Sequence, residues 1–170
     1  MGVNQVDELA RTIRAADAVS VLGAGTHREV GGMPLPDATE VRVPAAIVSY
    51  EPADMTVTVL GGTPVGVLDA ALAERGQECP LDPRDASATV GGVLACGLSG
   101  PRRLRLGPLR DRVLEVRFIT ADGRVVRGGG PTVKNVTGYD LPRLLVGSFG
   151  TLGVIVQVTL RTQPRPGCSA

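Results

Sequence analysis

The sequence predicts an α+β domain, and three observations carry that class. Stretches with helical and with strand patterning alternate, but without the regular strand–helix–strand spacing of a doubly wound sheet. Asp122-Gly123 stands between two β-rich runs, a hairpin signal and so an antiparallel one. The chain holds 23 glycines and 13 prolines in 170 residues, which implies many turns and close backbone approaches. Apolar residues make up 43% and aromatic ones 2%, with no Trp, so the core must be built from Val, Leu, Ile and Ala. The length suits one domain, or two small subdomains sharing a core and drawn here as about 1–60 and about 61–165.

The elements follow in order. Val6, Leu9, Ile13 and Ala16 recur at helical spacing, with Asn4 as the expected N-cap. A short strand at 18–22 (AVSVL) runs into the glycine loop GAGTHREVGG at 23–32. One strand is expected over 41–48 and another over 56–60 (TVTVL). Thr63 is expected to cap a helix with Pro64 at its first position, with Val65, Leu68 and Leu72 on one face and Gly76 as terminator. Runs at 113–120 and 124–127 form the hairpin, and the loop-rich 128–137 is a connection. Asp140 caps a helix at LPRLLV, which makes a catalytic role for Tyr139-Asp140 unnecessary, and 154–160 (VIVQVTL) is the last strand.

Composition also excludes classes of function. A net charge of +1 without a like-charge block offers nothing to nucleic acid or to a lipid surface. Cys79, Cys96 and Cys168 are odd in number, widely spaced and without a CxxC pair, against a disulfide framework or a zinc site and for a reducing compartment. Met1 is followed by polar and acidic residues, not by a basic and then apolar leader. No apolar run approaches the roughly 20 residues that span a bilayer, so a cytoplasmic location is expected.

Three glycine clusters carry the chemistry. In Gly23, Ala24, Gly25, Thr26 and His27 a strand ends in GxG, yet position 28 is Arg where GxGxxG needs its third glycine, and no helical pattern follows. The dinucleotide fingerprint fails there, as does a Walker A loop. What remains is a run of backbone N–H groups, an anion-binding nest suited to a pyrophosphate. The second cluster includes Ser87, Thr89, Gly91, Gly92, Gly97, Leu98, Ser99 and Gly100. Its small residues describe backbone laid against something flat, although the pattern alone favours a close helix–helix contact. In the third, Gly147, Gly150 and Gly153 alternate with Ser148 and Thr151, leaving the backbone open to a flat or anionic ligand, or forming a tight turn before a core strand.

The segment KNVTGYDLPRLLVGSFGTLGVI at 134–155 resembles the "GSxGTLGVI" signature of FAD-linked oxidases of the vanillyl-alcohol oxidase and p-cresol methylhydroxylase type. Within it, GYDLPRLLVG is most similar to the FAD-binding subunits of glycolate oxidase. The order also matches: glycine loop at 23–32, YEPADMTVTV at 50–59, TVGG at 89–92, DxVLxV…DG at 111–123, then GSxGTLG at 147–153. The resemblance covers nearly the whole chain. It implies two α+β subdomains with FAD between them, the pyrophosphate on residues 23–27 and the ring near 91–100 and near Gly150, Thr151, Leu152, Gly153, Val154 and Ile155. Some members attach flavin through a histidine in a Gly-Gly-His pattern; Thr26 takes that place here, so non-covalent FAD is implied. His27, the single histidine, is a flavin contact or an exposed imidazole.

Many members carry an acidic residue where this chain has Phe149, although the glycolate oxidase subunit type often has an apolar one there. Members also have a C-terminal cap over the substrate face, and this chain stops at Ala170 without it, so turnover by the chain alone is not expected. The implied activity is oxidation of a 2-hydroxy acid such as glycolate, with partner subunits and no metal. No catalytic base stands out. Arg102, Arg103, Arg105, Arg110 and Arg112 meet flavin phosphates, a carboxylate substrate or an acidic partner, or form a solvated loop offset by Asp111 and Glu115. A non-catalytic FAD-binding or assembly subunit is the competing reading, and reduction of a nucleotide sugar a third.

Overall fold

A computed structural model of the chain describes residues 3–28, 30, 32, 35–130 and 139–167. Cys168 and residues 131–137 of the expected 128–137 connection lie outside the described residues, while Gly128 and Gly129, expected in that connection, belong to a strand. In chain order, helix α1 (Val3–Ala15) leads to strands β1 (Val19–Val21), β2 (Thr39–Val41), β3 (Ile47–Glu51) and β4 (Thr56–Leu60). Helix α2 (Val65–Ala73), strand β5 (Gln77–Glu78) and helices α3 (Val90–Cys96) and α4 (Arg103–Leu106) follow. The chain continues through β6 (Val113–Ile119), β7 (Val125–Gly129), α5 (Leu141–Leu145), β8 (Val154–Arg161) and β9 (Gln163–Pro164). The class is α+β, as the sequence predicts.

The main sheet has the order β3-β4-β8-β6-β7 and is antiparallel throughout. Its two outer strands arrive as hairpins. The β6–β7 hairpin turns at Asp122-Gly123, with Thr120 N–H donating to Arg124 O at 3.0 Å and Gly123 at φ 76°, as its sequence signal requires. The β3–β4 hairpin turns through Pro52–Asp54 and closes on Met55, whose N–H donates to Pro52 O. Between them lies β8, the late strand VIVQVTLR. It is apolar on both faces because both are covered.

One irregularity in β8 distributes its side chains. Arg117 faces Gln157 but Phe118 faces Ile155, so one β8 residue has no opposite number. Such a bulge reverses the inward–outward alternation. Ile155, Val158 and Leu160 therefore join the larger core, where Val57 and Val59 of β4 meet Leu68 and Leu72 of α2 and Val93 and Leu94 of α3. Val154 and Val156 instead join the smaller core under α1, with Val6, Ala10, Ile13, Val41 and Ile119.

β1 and β2 form a separate parallel pair, Val19 opposite Thr39. The subdomain boundary drawn near residue 60 falls after β4, whereas β3 and β4 pair within the main sheet.

Three local expectations are corrected. The 41–48 run is two strands in two sheets, broken at 42–46, where Pro44 has no N–H to give a ladder. Thr63 does not cap α2: its buried hydroxyl accepts from Ala46 N–H and donates to Ala46 O, both at 3.0 Å, and Pro64 holds the cap position without a side-chain bond. Helix α1 begins at Val3, so Asn4 lies inside it, and its buried face is Val6, Ala10 and Ile13, with Leu9 only half-buried. Asp140 caps α5 as expected, accepting from Arg143 N–H at 3.0 Å.

Candidate functional site

A cleft of about 370 Å³ opens where the β1–loop unit faces α3 and the turn before β8. That size is within the usual range for small-molecule sites. One wall is the loop Gly23, Ala24, Gly25, Thr26 and His27. β1 ends at Val21, and Leu22 N–H makes the last bond to β2, donating to Val41 O at 2.9 Å. Beyond it, the N–H groups of residues 23–27 have no hydrogen-bond acceptor among the described residues. Gly25 is left-handed at φ 76°, and a Cβ built there meets only Leu22 Cδ1 at 3.9 Å, so it would project into open space. Arg42 Nη1 donates to Gly23 O at 3.0 Å and holds the start of the loop from outside.

Thr89, Gly91 and Gly92 line the cleft from α3. Thr89 is the N-cap, its hydroxyl accepting from Gly92 N–H at 3.2 Å. Gly91 N–H donates to Gly61 O at 2.8 Å, which fixes the helix start to the end of β4. A Cβ on Gly23 would run into the Thr89 hydroxyl, so loop and helix close on each other with no room for a side chain.

Gly150, Thr151, Gly153 and Ile155 supply the third wall, together with Phe149. The turn is tied to α3 by Gly147 N–H to Leu94 O at 3.0 Å and Phe149 N–H to Ala95 O at 2.8 Å. Phe149 is left-handed at φ 53° and 50% exposed, although that conformation costs a non-glycine residue about 1–2 kcal/mol.

The structure thus brings the three glycine clusters together at one cleft, but not every residue in them. Ser87, Gly97, Leu98, Ser99, Gly100, Leu152 and Val154 do not line it. Gly97 is the left-handed C-cap of α3, Gly100 packs on Asp82, and Val154 belongs to the core under α1. Sequence reasoning passed over Val43, Gly61 and Gly62, which do, and singled out neither Ala95 nor Cys96 within the 91–100 stretch, which also do. The signal for Gly61-Gly62 was there: strand TVTVL ends in a glycine pair just as AVSVL ends in GAG.

The described cleft lining carries Arg28 and His27 but no carboxylate. His27 Nδ1 and Thr26 Oγ1 are hydrogen-bonded at 2.9 Å. Burial pushes the Cys96 thiol up from its ordinary value, so that sulfur is neutral at physiological pH. No group of three or more metal-ligating side chains occurs among the described residues. Of the arginines in the 102–112 segment, Arg102 is spent on Glu78 and Asp82, and Arg112 on Leu106 O and Gln163.

Residues 2–129 match the family model described as FAD binding domain. The chain is 42% identical over 171 residues to glycolate oxidase subunit GlcE of Escherichia coli, covering 98% of this chain and 47% of that protein. It is 35% identical to D-lactate dehydrogenase of Archaeoglobus fulgidus, over 94% of this chain and 37% of the other. Glycolate oxidase subunit GlcD of Bacillus subtilis is 35% identical over 71% of the chain and 26% of its own length. Among solved structures, alkyldihydroxyacetonephosphate synthase superposes with a TM-score of 0.79 at 22% identity, over 98% of this chain and 31% of that one. The chain spans less than half the length of these curated relatives.

The cleft fits the family's ligand. FAD brings a dianionic pyrophosphate and a flat ring system, and the cleft offers open amides beside an arginine, walls of backbone where side chains are missing, and no described carboxylate to repel phosphate. Non-glycine side chains at positions 25 or 150 would fill the space such a group needs. With the p-cresol methylhydroxylase-type fold, the family match and this cleft in agreement, the chain belongs to the FAD-binding domain family, and FAD is its cofactor.

Proposed function

We propose that this chain is the FAD-binding part of a flavin-dependent oxidoreductase that oxidises the CH–OH group of a 2-hydroxy acid such as glycolate within a multi-subunit complex. The observation that carries this reading is the cleft itself: open loop amides, Arg28 and no described carboxylate suit an anionic cofactor and an anionic substrate together. Relatives whose names are glycolate oxidase subunits and D-lactate dehydrogenase supply the substrate class and the complex. The organisation proposed is two subdomains with FAD between them, in a cytoplasmic protein; no helix among the described residues is long and apolar enough to cross a membrane.

Bound FAD supplies a ring that accepts a hydride from a C–H bond beside an alcohol. The chain's part is to hold and shield it. The 23–27 amides would hold the pyrophosphate, Arg42 fixes the carbonyl of Gly23 so that the loop keeps its shape, and Arg28 would add positive charge at the cleft. Thr26 occupies the position at which an attached histidine is expected, so the flavin is held non-covalently. An assembly subunit without turnover of its own is the second reading. It is favoured by the same cleft, whose only described candidates for proton transfer are His27, already engaged with Thr26, and a neutral Cys96 thiol.

Acid precipitation of the FAD-loaded chain is expected to leave yellow flavin in the supernatant; flavin in the pellet would refute non-covalent binding. Anaerobic mixing with glycolate or D-lactate then separates the two readings. Bleaching is expected with partner subunits present, and a loaded complex that neither acid bleaches rules out the substrate class.

A further inference from the structure

Three described non-glycine residues have left-handed backbones: Met55, Asp82 and Phe149. The fold uses the first two. Met55 closes the β3–β4 turn through Pro52 O and accepts from Thr162 N–H at 2.8 Å, while the Asp82 carboxylate pairs with Arg102. Phe149 is different. Its N–H is used, in the bond to Ala95 O, but a glycine would make that bond without strain, as Gly147 and Gly150 do on either side at φ 84° and 76°. Its side chain is half exposed, so it adds little to the core. A large side chain kept at a costly backbone position and not packed away points to a role outside the folded chain.

The chain has two Phe and two Tyr in all. Phe118 is in the main core, Tyr50 packs against that core, Tyr139 is 90% exposed and lines no part of the cleft, and Phe149 is the aromatic residue of the described cleft lining. Its backbone is bonded to Ala95 and followed by Gly150, neither of which carries charge.

We propose that Phe149 is the wall against which the flat ring of the bound flavin rests, making that flank of the cofactor apolar and uncharged. The proposal rests on the FAD reading and assigns a residue of the cleft that this reading leaves without a role. A planar conjugated ring meets a Phe ring by stacking or by edge contact, and both need a side chain that lines the cleft without being packed into the core, as Phe149 does.

The test is titration of apo chain with FAD, with flavin emission and thermal unfolding recorded for four proteins: native, Phe149→Gly, Phe149→Trp and, as a distant exposed control, Leu104→Trp. Phe149→Gly is expected to unfold at the same temperature as native or higher, yet to bind FAD about tenfold more weakly. Phe149→Trp is expected to bind within about threefold of native and to quench flavin emission, because an indole in contact with the ring quenches it, while Leu104→Trp leaves emission unchanged. If native chain binds FAD but Phe149→Gly binds it equally well, or Phe149→Trp emits as native does, the inference is overturned and the FAD reading stands. A Phe149→Gly chain that fails to fold also overturns it, since the ring is then structural. Native chain that takes up no FAD removes both.

Discussion

Glycines serve two opposite purposes around the one cleft. Where β4 ends, Gly61, Gly62 and Gly91 are pressed against backbone: a Cβ on Gly62 would meet the carbonyl oxygens of Val43 and Pro44, one on Gly61 that of Ile155, and one on Gly91 that of Gly61 at 2.9 Å. Elsewhere in the same lining, Gly25 and Gly150 have left-handed backbones and open space, their nearest neighbours 3.9 and 3.8 Å from a built Cβ. The first group lets segments of the chain touch each other. The second leaves room for something that is not the chain. Sequence alone shows both as glycine clusters and cannot separate them.

Substitution pulls the two groups apart. The largest effect is expected from Gly62→Ala, which drives a methyl group into two carbonyls and displaces the 42–46 segment. A loss of about 3 kcal/mol or more is expected, a drop of roughly 6–12 °C in Tm by thermal circular dichroism. An unchanged Tm would mean that the segment gives way freely and that the closeness is not structural. Gly25→Val should reverse the pattern. Its stability cost is the left-handed strain, about 1–2 kcal/mol, yet FAD binding should disappear from titration because the branched side chain fills the phosphate's place. Normal binding would put the pyrophosphate elsewhere. His27→Ala, in the same loop but contributing a side chain and not an amide, should weaken FAD only a few-fold, about 1 kcal/mol or less.

Cleft and core also differ in their thiols. Cys96 lines the cleft, whereas Cys79 is fully buried in the main core and is pushed up by burial from 9.0 to about 12. A thiol whose folded pKa is raised stabilises the fold fully below its unfolded pKa. That contribution falls as the unfolded chain ionises above pH 9 and is gone once pH passes about 12. Urea unfolding should therefore show stability declining between pH 8 and 10.5, and Cys79→Ala should flatten that decline even though it lowers stability at neutral pH. An identical decline in the variant would assign it to other groups.

What was legible in the sequence was local chemistry. Asp122-Gly123, Asp140 before LPRLLV, and Val65, Leu68 and Leu72 on one helix face each specify structure through neighbours in sequence, and each is found as expected. What was illegible depends on distant partners. The hydroxyl of Thr63 looks like a cap until Ala46, 17 residues away, takes it. The 41–48 run looks like one strand until its ends join different sheets. At the cleft, the glycine loops were legible, since bare backbone beside hydroxyls is a local pattern. Gly97 and Gly100 share that pattern, but one ends a helix and the other accommodates Asp82. No spacing rule tells these uses apart.

The central position of β8 sets the order in which the chain can assemble. The β3–β4 and β6–β7 hairpins are contiguous in sequence and close by short turns, but each keeps an unpaired edge until residues 154–161 enter between them. Thr58 and Thr159, whose hydroxyls meet at 2.9 Å, are separated by 101 positions. Bringing such pairs together carries the entropy of closing a long loop before any contact rewards it, so docking of this strand is expected to be the slow step of folding. During synthesis on the ribosome, both hairpin edges wait for the strand that seals them, and the nascent chain is most open to mispairing in that interval.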